Sequence, residues 1–274
     1  MKSKTIPYHS SNIYYRIIGE GKPVVLIHGF GEDGDIWNRQ VEFLKELYKF
    51  IIPDLPGSGK STIIRSQLTV GIEAYAETIM AILSEEDIGQ CSMIGHSMGG
   101  YITLAFAEKY PQLLSKIGLV HSSAYADNEE KKSVRLKAIE FIKKNGAYEF
   151  LKTSIPGLFK PPDGSKSSTK LSDDSKPSDC YLLIEKGRSF SDEALIQYYR
   201  AMIARPDRTN VLKDFNGSIL FIIGEHDLAV PFQQSLQQSY LPHQSHIHVL
   251  RNSAHMGILE ETGATNNFLL QFLQ

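Results

Sequence analysis

The sequence lacks a strong excess of charge of either sign. Its 274 residues carry 29 lysine and arginine side chains against 31 aspartate and glutamate side chains, a formal net charge of -2. A protein that binds nucleic acid or an anionic membrane surface through charge usually carries a basic patch. We therefore expect neither nucleic acid nor a membrane among its partners.

Cysteine and long apolar runs are also scarce. The two cysteines, Cys91 and Cys180, show neither C-x-x-C spacing nor a disulfide framework, which predicts free thiols in a reducing compartment. No run approaches the roughly 18 apolar residues of a membrane span, and the first residues lack the apolar centre of a signal peptide. We expect a soluble, cytoplasmic protein, and the oligomeric state stays open.

What the sequence does contain is an alternation of strand and helix patterns. Asn12 to Ile18 alternates around tyrosines and isoleucines, which predicts an antiparallel first strand. Continuous apolar runs then alternate with amphipathic stretches; the runs are PVVLIHG, FIIPDLPG, CSMIGHS, KIGLVHSS, SILFIIG and HIHVL. This pattern indicates βαβ crossovers, so we predict an α/β fold with a mostly parallel twisted sheet flanked by helices.

The alternation is lost between residues 124 and 210. Charged helical stretches there flank the segment 160–179, which is rich in Ser, Lys, Asp and Pro and is expected to be either a functional lid or a disordered loop. The α/β pattern returns after the interruption. We therefore predict one core, formed by 1–123 and 211–274, that carries 124–210 as an inserted helical cap.

The stretch DLPGSGKS nearly matches a phosphate-binding P-loop, G-x-x-x-x-G-K-[ST], but Asp54 stands at the first glycine. A P-loop also needs a helix that begins at its Gly-Lys-Ser, whereas STIIRSQLTVG follows here and is rich in β-branched residues. We predict a turn after a parallel strand and a solvent-exposed Lys60, with no nucleotide site.

The segment GHSMGG fits the G-x-S-x-G pattern between a predicted strand and a predicted helix. Such a sharp turn exposes the hydroxyl of Ser97, and the flanking glycines let the backbone close without a Cβ clash. The start of a helix also directs the amide of Met98 towards developing negative charge. Ser97 is therefore a candidate nucleophile, although a Gly-rich structural turn with an incidental serine would show the same pattern.

A serine nucleophile needs a base, and the base needs an orienting acid. Of nine histidines, His255 follows the last predicted strand, at the sheet edge that also carries Ser97. Asp227 and its rival Glu225 follow the preceding strand at the same edge, and we favour Asp227 because the longer excursion lets it fold back towards His255. A helix-capping Asx turn would be an alternative role for Asp227.

These motifs together resemble the α/β-hydrolase fold superfamily. HGFGED, DLPGSG, GHSMGG, GEHDLAVP and SAHM follow the order of that family, and so does the chain order Ser, Asp, His. The resemblance implies a carboxylesterase-like serine hydrolase in which Ser97 is the nucleophile, His255 the general base and Asp227 its orienting acid. It also implies an oxyanion hole formed by the backbone N–H groups of Phe30 and Met98, while His28 and His96 would have supporting roles.

We therefore expect hydrolysis of an ester-like bond of a small or medium substrate, without a metal or organic cofactor. Activity should rise between about pH 6 and 7, where an ordinary histidine loses its proton. A serine at the nucleophile position argues against the haloalkane dehalogenases and epoxide hydrolases of this fold, which use Asp. A C–C bond hydrolase, lactonase, perhydrolase, haloperoxidase or lyase with the same triad, and a non-enzymatic small-molecule receptor, remain alternatives.

Overall fold

The computed structural model of the protein describes residues 1–9, 11–65, 70–161 and 177–274. Most of the segment predicted to be flexible, residues 162–176, lies outside the described residues. The strands are β1 (Lys2–Tyr8), β2 (Ser11–Ile18), β3 (Lys22–Ile27), β4 (Tyr48–Pro53), β5 (Cys91–His96), β6 (Leu114–Val120), β7 (Ser218–Gly224) and β8 (Ser245–Leu250). They form one sheet.

Eleven α-helices lie within the described residues. They are α1 (Asn38–Leu44), α2 (Ile72–Glu85), α3 (Met98–Lys109), α4 (Glu129–Asn145), α5 (Ala147–Ser154), α6 (Asp179–Lys186), α7 (Asp192–Ala204), α8 (Thr209–Asp214), α9 (Phe232–Ser239), α10 (Gly257–Glu260) and α11 (Thr262–Leu273). None of these helices is both long and apolar enough to cross a membrane.

The sheet has the order β1-β2-β4-β3-β5-β6-β7-β8. The pairs β1 with β2 and β2 with β4 are antiparallel, and the other pairs are parallel. The predicted fold class, a mostly parallel sheet flanked by helices, is thereby confirmed. The strand β1 was not predicted, because its pattern KSKTIPY is polar and largely exposed and its apolar content shows no alternation.

Helices cover the sheet, which explains why its central strands are continuous apolar runs. Every residue of β5 is buried, and so are the last four residues of β3, from Val24 to Ile27. The helices α1 and α11 contact one another, and α2 contacts α3. Strands that are buried on both faces need no polar alternation, so the sequence of β5 reads as an uninterrupted apolar strand.

Between β6 and β7 the chain forms the helices α4 to α8, where the sequence indicates an inserted helical unit. The helix α8 extends across the predicted boundary at residue 210. Several contacts join these helices to the carboxyl edge of the sheet. Leu158 accepts a hydrogen bond from the backbone of His255, and Tyr198 donates one from its hydroxyl to the carbonyl of Pro56 at 2.8 Å.

Candidate active site

The turn between β5 and α3 holds Ser97 in a strained conformation. Its φ is +52° and its ψ is -117°, outside the regions that most non-glycine residues adopt. The turn is tight because Gly95 and Gly99 pack against each other: a Cβ at Gly95 would lie 2.2 Å from the carbonyl carbon of Gly99. The local sequence therefore forms the sharp strand-to-helix turn that the G-x-S-x-G pattern predicts.

Ser97, His255 and Asp227 form a continuous chain of hydrogen bonds. The Oγ of Ser97 lies 2.9 Å from Nε2 of His255, and Nδ1 of His255 lies 2.8 Å from Oδ2 of Asp227. Since a carboxylate oxygen can only accept, His255 donates from Nδ1, and its Nε2 is left to accept the proton of Ser97. The structure thus brings together residues that are distant in the sequence: Asp227 lies 130 positions after Ser97, and His255 lies 28 positions after Asp227.

The surroundings of Asp227 keep its carboxyl group ionised. Its Oδ1 accepts hydrogen bonds from the backbone amides of Ala229 at 2.8 Å and Val230 at 2.9 Å. Although burial by itself would raise the pKa of Asp227, the neighbouring imidazoles of His255 and His121 hold it well below its usual range. The Asx turn considered from the sequence is therefore present, and Asp227 bonds to His255 as well.

The rival acid Glu225 takes no part in this chain. Its side chain is exposed, whereas Asp227 is buried. The backbone amide of Glu225 continues the pairing with the last strand by donating to Leu250. The direction of the chain after β7 thus turns Asp227, and not Glu225, towards His255.

Two backbone amides border Ser97 where the sequence predicts an oxyanion hole. Met98 is the first residue of α3, so its N–H has no acceptor within the helix. Phe30 lies in the loop after β3, and no hydrogen bond within the described residues uses its amide. This loop approaches Ser97 closely: a Cβ at Gly29 would lie 3.0 Å from Cβ of Ser97. Their role as oxyanion donors stays a prediction.

A buried ion pair supports the loop that carries His255. The imidazole of His96 contacts Oε2 of Glu32 at 3.0 Å through Nδ1 and the carbonyl of His255 at 3.0 Å through Nε2. When Glu32 is ionised both partners can only accept, so His96 then donates from both nitrogens as an imidazolium. Burial opposes this charge, but Glu32 raises the pKa of His96, and His96 together with the amide of Gly29 lowers the pKa of Glu32.

The DLPGSGKS segment supports the same edge of the sheet. The carboxylate of Asp54 accepts from the amides of Gly34 at 3.0 Å and Lys60 at 2.8 Å, and the amide of Leu55 donates to Nε2 of His28 at 2.9 Å. In a P-loop the amide of Lys60 would face a phosphate, whereas here it donates to the carboxylate of Asp54. Lys60 is exposed, as predicted, with its ammonium 4.7 Å from the centre of the Tyr14 ring.

In the part of the chain that the structure describes, His121, Asp227 and His255 are the one set of side chains with metal-ligand spacing. Their ligand atoms lie within 4.8 Å of one another. The Nδ1 atoms of both histidines already bond to Oδ2 of Asp227, so hydrogen bonding accounts for the arrangement.

Comparison with known proteins identifies the family. A family model described as the alpha/beta hydrolase fold matches residues 22–262. The chain belongs to this family. The sequence resemblance to the α/β-hydrolase superfamily is therefore confirmed.

Relatives within the α/β hydrolases differ in what their names assign to them. An uncharacterized protein of Mycobacterium bovis is 37% identical over 112 residues, 41% of this chain. The match spans only 32% of that protein, about a third of its length. The RutD protein of Agrobacterium fabrum, provisionally named a carbamate hydrolase, is 25% identical over 95% of this chain and 96% of its own. A thermophilic esterase from Thermogutta terrifontis superposes with a TM-score of 0.85 and 25% identity, covering 100% of this chain and 98% of that one.

Sequence reasoning missed two residues of the site, Glu32 and His121. Glu32 stands in HGFGED, where it reads as one more charged residue of a loop, and His121 ends a strand like several other histidines. For Glu32 the available signal is a carboxylate in the loop that holds the predicted oxyanion donor Phe30, whereas nothing in the sequence distinguishes His121 from the other histidines beside strand ends. Their contacts join separate strands, so spacing along the chain does not reveal them.

Proposed function

We propose that this α/β hydrolase is a serine hydrolase that cleaves an ester-like bond of a small or medium organic substrate through an acyl-enzyme. The observation that carries the proposal is the hydrogen-bond chain from Ser97 through His255 to Asp227, with separations of 2.9 Å and 2.8 Å. These distances lie within the reach required between a nucleophile, its base and the orienting acid.

In the proposed reaction the Oγ of Ser97 attacks the substrate carbonyl while Nε2 of His255 takes its proton. Asp227 holds the ring of His255 and stabilises the imidazolium that forms. The amides of Phe30 and Met98 would stabilise the oxyanion, each contributing about 3 kcal/mol to the lowering of the barrier. His255 then protonates the leaving group, and a water molecule activated by the same nitrogen releases the acid.

The side chains around Phe30 support a substrate of limited size. Its ring lies 4.4 Å from the ring of Tyr199 and 6.2 Å from that of Phe150, both from the helices between β6 and β7. Leu151 packs against Gly31, the residue after Phe30. A Cβ added at Gly31 would lie 2.8 Å from Cδ2 of Leu151. We propose that these helices act as the cap of the substrate site, and that apolar contacts hold the acyl group.

The printed names of two relatives support related substrate classes. The Thermogutta protein is called an esterase, and the Agrobacterium protein is provisionally named a carbamate hydrolase. Both classes present a carbonyl to the same nucleophile, so a carbamate is the second candidate substrate. An ester ranks first because the nitrogen of a carbamate donates electron density to the carbonyl and makes it a weaker electrophile.

The test combines active-site labelling with substrate turnover. A fluorophosphonate probe should label the wild-type protein at Ser97, and p-nitrophenyl esters of increasing chain length should show a maximum at short or medium chains. Ser97→Ala should lose labelling and turnover, whereas the surface control Ser84→Ala, whose residue is exposed, should retain both. Near-native esterase activity of Ser97→Ala would overturn the proposal, and faster turnover of matched p-nitrophenyl carbamates would favour the second candidate.

A further inference from the structure

His121 is a buried histidine that the proposed reaction does not use. It follows β6 directly and is only 1% exposed. Its Nδ1 lies 3.3 Å from Oδ2 of Asp227, the same oxygen that His255 approaches at 2.8 Å. Two histidines therefore converge on one carboxylate oxygen.

The hydrogen bonds of Asp227 determine the tautomer of His121. Oδ1 of Asp227 accepts two backbone amides, so Oδ2 is left to accept from the imidazoles of His255 and His121. A histidine that donates from Nδ1 in its neutral form has only a lone pair on Nε2. In His121 this Nε2 is buried, and it has no hydrogen-bond partner among the described residues.

An unpaired buried acceptor destabilises the folded protein, and an apolar side chain at this position would avoid that cost. The backbone nevertheless accommodates the ring. His121 has a φ of +48°, and a Cβ at Gly257 would lie 2.5 Å from its Nε2, so a larger residue at 257 would displace it. His121 therefore combines a strained backbone and an unpaired Nε2 with an Nδ1 hydrogen bond to Asp227.

We propose that His121 is a positioning residue of the triad. By donating a hydrogen bond to Oδ2 of Asp227, it disperses part of the negative charge of that carboxylate. Without this hydrogen bond, the carboxylate would favour the protonated form of His255 more strongly. The inference rests on the proposed hydrolase function. Its physical basis is that each hydrogen bond donated to a carboxylate disperses its charge and so weakens its pull on a neighbouring imidazolium.

Other charged groups that face this set are the same in every variant considered below. The ring of His96 lies 5.8 Å from that of His121 and 5.3 Å from that of His255, and its charge is paired with Glu32. On the side of the last helices, Glu260 accepts from the amide of Ala254, and Glu261 accepts from Asn252 and Ser253. The variants change none of these residues, so a difference between variants at position 121 is attributed to the hydrogen bond of that residue.

Two variants of nearly equal size separate the hydrogen bond from packing. His121→Asn keeps an N–H donor near the position of Nδ1, and Asn tolerates a positive φ. His121→Leu has the same number of side-chain heavy atoms as His121→Asn but no donor, and it adds backbone strain at this positive φ. We measure the acid limb of the pH profile of kcat/KM for p-nitrophenyl acetate. Relative to the wild type, this limb should shift to higher pH by about half a pH unit or more in His121→Leu and by less than about 0.2 pH unit in His121→Asn.

A parallel loss of activity at every pH in His121→Leu, with an unmoved acid limb, would show that the ring only fills space. An equal shift in both variants would also overturn the inference, because the donor would not be its cause. The same three proteins can be titrated by NMR through the ring signals of His255. This readout needs no turnover, so a failure of the proposed hydrolase function is distinguishable from a failure of the inference.

Discussion

The backbone N–H of His255 donates a hydrogen bond to the carbonyl of Leu158 at 2.9 Å. The carbonyl of the same histidine accepts a hydrogen bond from Nε2 of His96 at 3.0 Å. The loop after β8 is therefore held from one side by the segment that follows α5 and from the other by the end of β5. The position of the proposed base depends on both parts of the chain.

The variant Asp227→Asn tests whether Asp227, and not Glu225, is the acid that orients His255. The amide oxygen can still accept from the amides of Ala229 and Val230, so the fold should persist, but the amide N–H group would face Nδ1 of His255 and favour the wrong tautomer. We expect kcat to fall about 10³- to 10⁴-fold. The control Glu225→Gln changes an exposed side chain and should leave kcat nearly unchanged. Equal losses in the two variants would contradict the assignment of Asp227.

Glu32→Gln should destabilise the protein by breaking a buried ion pair. Glu32 is 5% exposed, and its removal leaves the charge of His96 unpaired beneath His255. We expect the free energy of unfolding in urea at pH 7 to fall by about 3 kcal/mol. Glu129→Gln removes an exposed partner of Lys132 and should cost less than about 0.5 kcal/mol. If both variants lose the same amount, the buried pair is not the stabilising feature.

Met98→Ala should affect stability much more than turnover. The side chain of Met98 is fully buried, whereas the group proposed to act in catalysis is its backbone amide. A cavity at this position should lower the free energy of unfolding by about 2 to 5 kcal/mol. The kcat of the folded variant should stay within about threefold of the wild type, since the amide remains. A loss of kcat comparable to that of Ser97→Ala would show that the side chain itself is needed.

The free energy of unfolding should depend on pH in part because of His121. Burial lowers the pKa of His121 from 6.5 to about 4, so the unfolded chain binds a proton more readily between these values. The contribution of this histidine is therefore complete above about pH 6.5 and is lost as the pH falls towards 4, by about 3 kcal/mol in total. In urea unfolding at several pH values, His121→Asn should lose less stability than the wild type across this window. Parallel curves for the two proteins would contradict the expectation.

A feature can be predicted from the sequence when the residues that form it lie close together along the chain. The turn at Ser97 depends on Gly95, Gly99 and the strand and helix that flank them, all within a few positions. The alternation of strands and helices is likewise a local pattern, and the sheet edge at which His255 and Asp227 lie follows from the parallel order of the strands. These features could be predicted, and the catalytic roles assigned to the residues stay predictions.

The remaining features needed the tertiary structure. Glu225 and Asp227 follow the same strand two positions apart, and only the path of the loop turns one outward and the other towards His255. Glu32 meets His96 across 64 positions, and His121 meets Asp227 across 106. The sequence by itself determined the α/β framework and the order of the candidate residues, because periodicity and tight turns are local. The tertiary structure decided which carboxylates and imidazoles pair, because those pairs form between strands that only the folded sheet brings together.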